Sequence, residues 1–557
     1  MSGAVRRYWP YLLLMAVLAL VWLAMALRGF NLGFTGDMLG FEYHYDSLGL
    51  WSGSRWLLDE WERHLLGTIY SASIHQLFPG QSAAWYAMSF VMHFVVGSVM
   101  FLLSDTVLRG RWRWLSFAAA LIFVFHTRQI QGHLELPTGG LRKTALALSL
   151  LSLWFHLLYV RKGRQQARWH ELSLATFFVS VWMYEQTFLF FLLHPVIAYF
   201  EETYDVSERG FFGWLRQRWR QLIADSFWYP PIVAVYLFLL KVLFPAGGFG
   251  TDVSPSAMLG EVSTALGLEF SSTEFAARIL PTFQDDWLML TLAAALLVFV
   301  GILLWRRSDK STVQGRELWA LLVISAALFA ANLMSIAPTR VGHDARALYP
   351  AAVGLALVVS GGLAWLCGRY LPARIGQAVF AAMVALLVST GLTYTFQLQT
   401  DYIDANVTRQ QVLSAIQDAV PDVDEPPYLL ILSDAHVDND LRLNAQDINF
   451  PYTFDLMYDI DDAAADAIFY DLTEAPPEAD VHGSVYAGPY IVVEDEGIYS
   501  PLRPGQAIDP SRLIVVYYDS QTGTAIVLDE VPPEALVGAN IVRRAGTPLR
   551  TNFGLIG

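Results

Sequence analysis

Residues 83–107 read AAWYAMSFVMHFVVGSVMFLLSDTV, an apolar run in which Asp105 is the only residue with a formal charge. About 20 such residues in an α-helix are enough to cross the hydrocarbon core of a membrane. Similar runs recur along a chain that is 55% hydrophobic and only 16% charged. The sequence therefore predicts a mainly α-helical, polytopic membrane bundle with about eleven spans. They are expected at residues 8–30, 83–107, 114–127, 141–160, 169–184, 187–200, 226–244, 286–304, 317–336, 347–366 and 376–398.

Basic loops indicate which side of the membrane each segment faces. Arginine and lysine cluster in alternate loops, as in RGRWR at 109–113 and RKGRQQAR at 161–168, and short loops of this kind usually stay in the cytoplasm. This pattern places the N-terminus inside, and an odd number of spans then places everything after residue 399 outside. The expected localisation is the cell membrane, with the first span retained as an anchor.

Charge divides the chain into two halves. Residues 401–557 contain 27 Asp and Glu against 7 Arg, which gives this part a charge of −20. The net charge of the chain is −15, so the membrane part carries about +5. β-rich runs at 428–432, 490–493 and 513–518 are separated by Pro, Gly and Asp turns and follow a helical stretch near 408–420. We predict a transmembrane catalytic domain at 1–399 and an acidic extracytoplasmic α/β domain at 400–557.

Three carboxylates follow the first predicted span. The stretch 31–46 reads NLGFTGDMLGFEYHYD and carries Asp37, Glu42 and Asp46 on what is expected to be the first outside loop. A carboxylate placed there can act as the general base that removes a proton from an acceptor hydroxyl. Alternatively, these acids bind a divalent cation, which prefers carboxylate oxygens. The tryptophan-bearing residues 48–70 predict a helix at the lipid–water boundary.

Cations concentrate on two segments that the topology places outside, against the positive-inside tendency. Residues 126–143 read HTRQIQGHLELPTGGLRK and residues 338–350 read PTRVGHDARALYP. Arg and Lys bind phosphate oxygens through charge-assisted hydrogen bonds, so a lipid phosphate or pyrophosphate is the expected ligand. The alternative is that these side chains anchor helix ends by snorkelling. The candidate donor-phosphate residues are Arg128, Arg142, Lys143, Arg340 and Arg346.

Other polar residues accompany these cations. His126, His133 and Glu135 are of metal-ligating types, but their spacing matches no compact metal site, so none is predicted. Glu185 interrupts an apolar helix, where it could cap the break, bond across helices or pair with a cation. His343 lies among the cations of the later segment.

The ordered set of segments resembles the GT-C-type membrane glycosyltransferases, and most of all the protein O-mannosyltransferase relatives with tetratricopeptide tails. The resemblance covers the membrane half and lies in four stretches, 63–108, 121–164, 183–199 and 345–355. The residues that these stretches bring into register with family motifs are Arg63, Tyr86, Met88, His93, His126, Arg142, Lys143, Glu185, Arg346, Tyr349 and Pro350.

This resemblance implies transfer of one sugar from a polyprenyl-phosphate donor on the outer leaflet, with inversion and without a nucleotide sugar. It also implies a catalytic acid in the first outside loop, where Asp37 occupies the family position. The family often has paired Asp there, whereas Asp37 is flanked by Gly36 and Met38, so Glu42 and Asp46 remain alternatives. The family's repeat tail is replaced by the acidic domain.

Two other functions are compatible with the sequence. One is an oligosaccharyl transferase, ligase or polymerase of envelope glycan, which would use a larger lipid-linked donor. The other is a non-catalytic membrane scaffold or a transporter, although no internal repeat with paired broken helices is visible. The expected partners are the lipid donor, the membrane, and a protein, lipid or glycan acceptor; no nucleic acid is expected. No cofactor other than the divalent cation is predicted.

Overall fold

The computed structural model divides into two compact units. The first contains the described residues between 54 and 399, and the second contains those between 31 and 53 and from 400 onward. The structure describes residues 37–56, 65–125, 139–204, 210–243, 315–336, 349–421, 428–433, 466–471, 492–494, 497–499, 507–508, 513–528, 549–551 and 554–556, and the isolated residues 58, 298, 301 and 302.

Helices make up most of the described chain. The α-helices are α1 (Asp37–Trp56), α2 (Leu65–Leu77), α3 (Ser82–Val107), α4 (Arg113–Val124), α5 (Gly139–Arg161), α6 (Ala167–Met183), α7 (His194–Glu202), α8 (Phe211–Ser226), α9 (Tyr229–Leu243), α10 (Arg316–Ile336), α11 (Tyr349–Tyr370) and α12 (Ala373–Ala419). A 3-10 helix, Glu185–Leu193, lies between α6 and α7.

Five helices in the described residues are long and apolar enough to cross a membrane. They are α3, α5, α10, α11 and the first part of α12, Ala373–Gln397. Each coincides with a predicted span, at 83–107, 141–160, 317–336, 347–366 and 376–398. The prediction of a helical, multi-spanning membrane protein is therefore confirmed.

Other predicted spans differ from long α-helices. The predicted sixth span, 187–200, is a 3-10 helix followed by the short helix α7. Pro195 lies in the first turn of α7, where its missing N–H is tolerated, but it cannot continue an α-helix from the preceding segment. The third predicted span is the 12-residue helix α4. The first and eighth, 8–30 and 286–304, lie outside the described residues apart from isolated positions.

The described helices of the first unit pack against one another around several apolar clusters. α5 packs against α3 and α6, α11 packs against α4 and α10, and α3 packs against α4. Small residues allow the closest of these approaches. A Cβ on Gly354 of α11 would lie 2.6 Å from the backbone oxygen of Ser325 on α10. Only glycine leaves room for the two backbones at this point, as is common between membrane helices.

Gly354→Ala is expected to destabilise the first unit by about 1–3 kcal/mol, because the added methyl group forces α10 and α11 apart. Gly362→Ala is the matched control, since Gly362 lies on the same helix as Gly354 and a Cβ there would meet no atom within 4 Å. Thermal unfolding in detergent would show a lower Tm for the first variant only. An equal Tm for both variants would contradict the close approach.

The second unit contains a small α/β layer. Strands β1 (Tyr428–Ser433), β2 (Asp466–Asp471), β6 (Leu513–Asp519) and β7 (Thr524–Val527) form a sheet in the order β2-β1-β6-β7. β1 is parallel to both of its neighbours, and β6 and β7 form an antiparallel hairpin. The end of α12 covers this sheet through Val412 and Ile416, together with Val420, which directly follows the helix. The β-rich runs at 428–432 and 513–518 are thus strands.

Short strands complete the described part of this unit. β3 (Val492–Glu494), β4 (Gly497–Tyr499) and β5 (Ala507–Ile508) form an antiparallel sheet, and β8 (Leu549–Thr551) pairs with β9 (Gly554–Ile556). At the β6–β7 turn, Thr522 donates a hydrogen bond of 2.9 Å from Oγ1 to the Asp519 carboxylate. This bond and the backbone N–H of Gln521 lower the pKa of Asp519.

The segment 31–46 is not simply a loop, because α1 begins at Asp37 and continues to Trp56. The acid-bearing residues from Asp37 onward are therefore helical, and their position outside the membrane stays a prediction. The helix is kinked at Gly49, whose φ of 74° favours glycine. The predicted boundary helix at 48–70 is therefore divided between the end of α1 and the start of α2. Trp51 on α1 is 86% exposed.

Candidate functional site

A buried polar layer joins three of the helices that the sequence analysis connected. It consists of Ser89 and His93 on α3, Lys143 on α5 and Tyr349 on α11. Ser89 and His93 are four residues apart, so they share one face of α3. Lys143 is the fifth residue of its helix, and Tyr349 is the first residue of α11 and is followed by Pro350. We call this set the Lys143 layer.

Lys143 is the most unusual member of the layer. Its side chain is one of the largest fully buried in the described residues, with 1% of the residue exposed. The ammonium donates a short hydrogen bond to Ser89 Oγ. It also lies 6.0 Å from the centre of the Tyr349 ring, at the outer limit of a cation–π contact. Among the described residues, no carboxylate forms an ion pair with Lys143.

His93 positions Tyr349. Its Nε2 lies 3.1 Å from the backbone oxygen of Val124, and its Nδ1 lies 2.7 Å from the Tyr349 hydroxyl. A carbonyl oxygen can only accept, so a neutral imidazole donates a hydrogen bond from Nε2 and accepts one from the Tyr349 hydroxyl at Nδ1. His93 therefore ties α3 to the end of α4 and to the start of α11. Both ring nitrogens are engaged, which makes His93 a structural member of the layer.

Arg142 lies beside the layer, next to Lys143. Its guanidinium carbon is 4.8 Å from the centre of the Tyr184 ring, which forms a cation–π contact. Tyr184 occupies the break between α6 and the 3-10 helix. Tyr70 of α2 packs against the start of α5. A Cβ on Gly140 would lie 2.5 Å from the Tyr70 hydroxyl. Burial raises the pKa of that hydroxyl, which stays protonated.

A hydroxyl cluster fixes the 3-10 helix that carries Glu185. Ser149 of α5 lies 2.6 Å from Ser180 of α6 and 2.8 Å from Thr187, measured between hydroxyl oxygens. Ser180 also donates to the backbone oxygen of Ala145, at 2.7 Å. Thr187 belongs to the polar break that the sequence shows at 184–187. Glu185 begins this 3-10 helix, and its side chain lies outside the described residues.

The first-segment acids lie on α1 in the second unit. Asp46 is exposed to solvent, whereas the side chains of Asp37 and Glu42 lie outside the described residues. His44, between these acids in the sequence, is 4% exposed. Burial lowers the pKa of His44 to about 4, so its imidazole is neutral at physiological pH and adds no positive charge to the acidic segment.

The structure therefore brings together part of the predicted site. Lys143 and Tyr349 are in one layer, with Arg142 beside them. The predicted site residues outside the described part of the chain are Arg63, His126, Arg128, Arg340, His343 and Arg346. Sequence reasoning missed Ser89 as a partner of Lys143 and did not give His93 a role. The available signal was the spacing of two polar residues, four apart, inside the apolar run at 83–107.

A small cavity at the opposite ends of the same helices is a weaker candidate. It is lined by Arg109, Glu201, Tyr204, Arg316 and Glu317 together with apolar side chains. The lining cation Arg109 lies 2.7 Å from Glu201, and Glu317 lies 2.7 Å from Arg111. Two carboxylates in the lining make the cavity unfavourable for an anion. The Lys143 layer is the better candidate for ligand binding.

Comparison with known proteins gives similar solved structures but no family. The chain is similar to ArnT from Cupriavidus metallidurans bound to undecaprenyl phosphate, at 13% identity and a TM-score of 0.34, over 77% of this chain and 83% of that chain. For the same protein in the apo state the identity is 11% and the TM-score 0.34, over 92% and 93% of the two chains. No family model and no curated protein matches the chain, so its function has to be inferred from its own residues.

Proposed function

We propose that this chain is a membrane glycosyltransferase that moves a sugar from a polyprenyl-phosphate donor to an acceptor at the outer face of the membrane. The observation that supports this most is the buried ammonium of Lys143, which has Ser89 and the Tyr349 ring as neighbours. No carboxylate among the described residues neutralises it. An anionic group of the substrate would supply the missing charge.

Burial makes it significant that no carboxylate of the described residues pairs with Lys143. Removing an ammonium group from water costs several kcal/mol unless an anion or several hydrogen bonds compensate for it. The cost is greater here because Arg142 lies in the first turn of α5 and Lys143 directly follows it, near the positive end of the helix dipole. The same arrangement favours a bound anion, because backbone N–H groups and two cations then act together. A phosphate group is the anion that fits such a site best.

The position of the layer favours a lipid-linked phosphate over a soluble one. Lys143 lies at the start of a membrane-spanning helix and among residues of α3 and α11, which also span. A polyprenyl chain can lie among apolar helices while its phosphate meets the buried cation. A nucleotide sugar would have to leave water to do so.

The proposed reaction is a single displacement at the anomeric carbon. The acceptor hydroxyl attacks C1 of the sugar, and a first-segment carboxylate, Asp37, takes the hydroxyl proton. The bond between C1 and the donor phosphate oxygen breaks, and its electron pair remains on the leaving polyprenyl phosphate. Lys143 and Arg142 neutralise that leaving group, an electrostatic role. The other proposed phosphate-binding residues are Arg128, Arg340 and Arg346.

The proposal can be tested in nanodiscs that contain the full chain. Polyprenyl phosphate is expected to bind at least about 100-fold more tightly than the uncharged polyprenol, because a charged hydrogen bond is worth about 1.5–3 kcal/mol and both Lys143 and Arg142 lie at the proposed phosphate site. Membranes with the chain should also transfer labelled sugar from a polyprenyl-phosphate monosaccharide into a protein, lipid or glycan fraction. Equal binding of the alcohol and the phosphate would contradict the proposal.

Two further donors separate the alternatives. A polyprenyl-diphosphate oligosaccharide that is used in preference to the monosaccharide donor would indicate an oligosaccharyl transferase or ligase. A labelled nucleotide sugar should give no transfer in washed membranes. Addition of EDTA distinguishes a carboxylate base, which retains activity, from acids that bind a divalent cation, which lose it.

A further inference from the structure

Helix α8 (Phe211–Ser226) is held to the first unit by one face only. Trp214, Leu222 and Asp225 are buried, and the first two pack with Val160 and Ala198. Asp225 is also fixed by an ion pair, since its Oδ2 lies 2.8 Å from Arg164 Nε. These contacts define which side of α8 faces the protein.

The other side of α8 carries an exposed apolar stripe. Phe212, Trp219, Ile223 and Phe227 recur at intervals of seven, four and four residues and therefore lie along one line of the helix. Phe212 is 82% exposed, and the other three are between 49% and 56% exposed. A stripe of this size is costly to leave in water. It requires an apolar partner that is not part of the described chain.

Arginines accompany the stripe. Arg216 lies within it and Arg220 at its edge, and the guanidinium carbon of Arg220 is 5.4 Å from the centre of the Trp219 ring. Both side chains are exposed. The only acidic residue of the helix, Asp225, is buried and paired with Arg164. The free face of α8 is therefore aromatic and positively charged, which is complementary to an anionic lipid surface.

The chain bends where α8 meets the next helix. Pro230 and Pro231 are the second and third residues of α9 (Tyr229–Leu243). The direction of α8 differs by 48° from that of the segment Tyr229–Leu239. The two helices could form one broken span only if the exposed Arg216, Arg218 and Arg220 entered the hydrocarbon core, which is unfavourable. A helix lying in the interface, followed by the apolar α9 entering the membrane, avoids this cost.

We propose that α8 is an interfacial helix that binds the headgroups of anionic phospholipids. Phe212, Trp219, Ile223 and Phe227 enter the boundary between headgroups and acyl chains. Arg216 and Arg220 extend to the lipid phosphates, as long basic side chains do at this depth. The positive-inside pattern predicts that this surface is the cytoplasmic leaflet. The ion pairs on its other face, Asp225 with Arg164 and Arg218 with Glu202, then connect the bound lipid to the inner ends of α5 and α7. This proposal is independent of the one for sugar transfer.

The depth of α8 can be measured by fluorescence quenching, because the chain has a single cysteine, Cys367, which is buried. Trp219→Cys and Gln217→Cys are made in a Cys367→Ala background and labelled with bimane in nanodiscs of phosphatidylcholine and phosphatidylglycerol. Position 219 should be quenched by doxyl lipids and position 217, about 160° around the helix, by aqueous iodide. Iodide quenching at both positions would overturn the proposal. Shielding from both quenchers at position 219 would also overturn it and indicate a second copy of the chain on this face.

The role of charge is tested with a short-chain phosphatidylglycerol and native mass spectrometry. Arg216→Gln/Arg220→Gln is expected to weaken its binding by about 25-fold, at about fivefold for each arginine removed. The matched control is Arg369→Gln/Arg374→Gln, which removes two exposed arginines elsewhere and should change binding less than twofold. An equal loss in the two double variants would show a general charge effect and overturn the assignment to α8.

Discussion

Lys143→Met is expected to weaken polyprenyl phosphate binding by about 100-fold and to reduce sugar transfer at least as much. The buried ammonium is the one cation among the four residues of the Lys143 layer. Removal of one preorganised electrostatic contact commonly costs a factor of about 10²–10³ in kcat. The same change should leave the free energy of unfolding unchanged or raise it by about 1–4 kcal/mol. Methionine has a similar length, and it removes the cost of burying a charge that no carboxylate of the described residues neutralises.

The opposite signs of these two effects separate a ligand-binding role from a structural one. If Lys143 only stabilised the bundle, loss of activity would be accompanied by a lower Tm. Lys162→Met is a suitable control, since Lys162 directly follows the last residue of α5 and is exposed. Its activity and its lipid binding should equal those of the wild type. Retention of tight polyprenyl phosphate binding by Lys143→Met would rule out Lys143 as the phosphate ligand.

Asp37→Asn is expected to reduce sugar transfer by a factor of about 10²–10⁴ while leaving polyprenyl phosphate binding within twofold. A general base contributes about this much to a reaction and does not contact the donor phosphate. The amide is close in size to the carboxylate but cannot accept the acceptor's proton. Transfer from a polyprenyl-phosphate monosaccharide and binding of the free lipid phosphate are measured on the same preparation.

Glu42→Gln and Asp46→Asn complete this experiment, because all three acids lie on α1. The largest loss identifies the base, and the other two variants act as controls for the charge of the segment. Full transfer by Asp37→Asn would remove Asp37 from the mechanism. Similar partial losses in all three variants, together with sensitivity to EDTA, would indicate that the acids share a divalent cation.

Local hydrophobicity accounts for the parts of the fold that were predicted correctly. A run such as 83–107 must satisfy its backbone hydrogen bonds within the membrane, and an α-helix does this using only the run's own residues. The spans in α3, α5, α10 and α11 could therefore be recognised without knowledge of their neighbours. Residues 187–200 are equally apolar but are a 3-10 helix followed by α7, because Thr187 bonds to Ser149 and Pro195 restarts the helix. Hydroxyl contacts between helices are not visible in hydropathy.

The candidate site shows the same division. Arg142 and Lys143 were recognisable in the sequence as cations at the end of a span, against the usual charge bias. Tyr349 was identified through a family resemblance. The sequence did not show that Lys143 is buried, that Ser89 accepts its hydrogen bond or that His93 holds the Tyr349 hydroxyl. These contacts join residues as far apart in the chain as His93 and Tyr349.

The sequence by itself thus determined that this is a multi-spanning membrane protein with an acidic C-terminal part, because both properties depend on composition and on runs of about 20 residues. Tertiary structure decided which polar residues meet. Four side chains on three spanning helices form the Lys143 layer, and their proximity depends on helix packing, including the close approach of α10 and α11 at Gly354. A charge in water needs no particular neighbour, whereas a charge buried among helices does. Burial is what makes Lys143 a candidate for binding phosphate, and burial is a property of the folded chain.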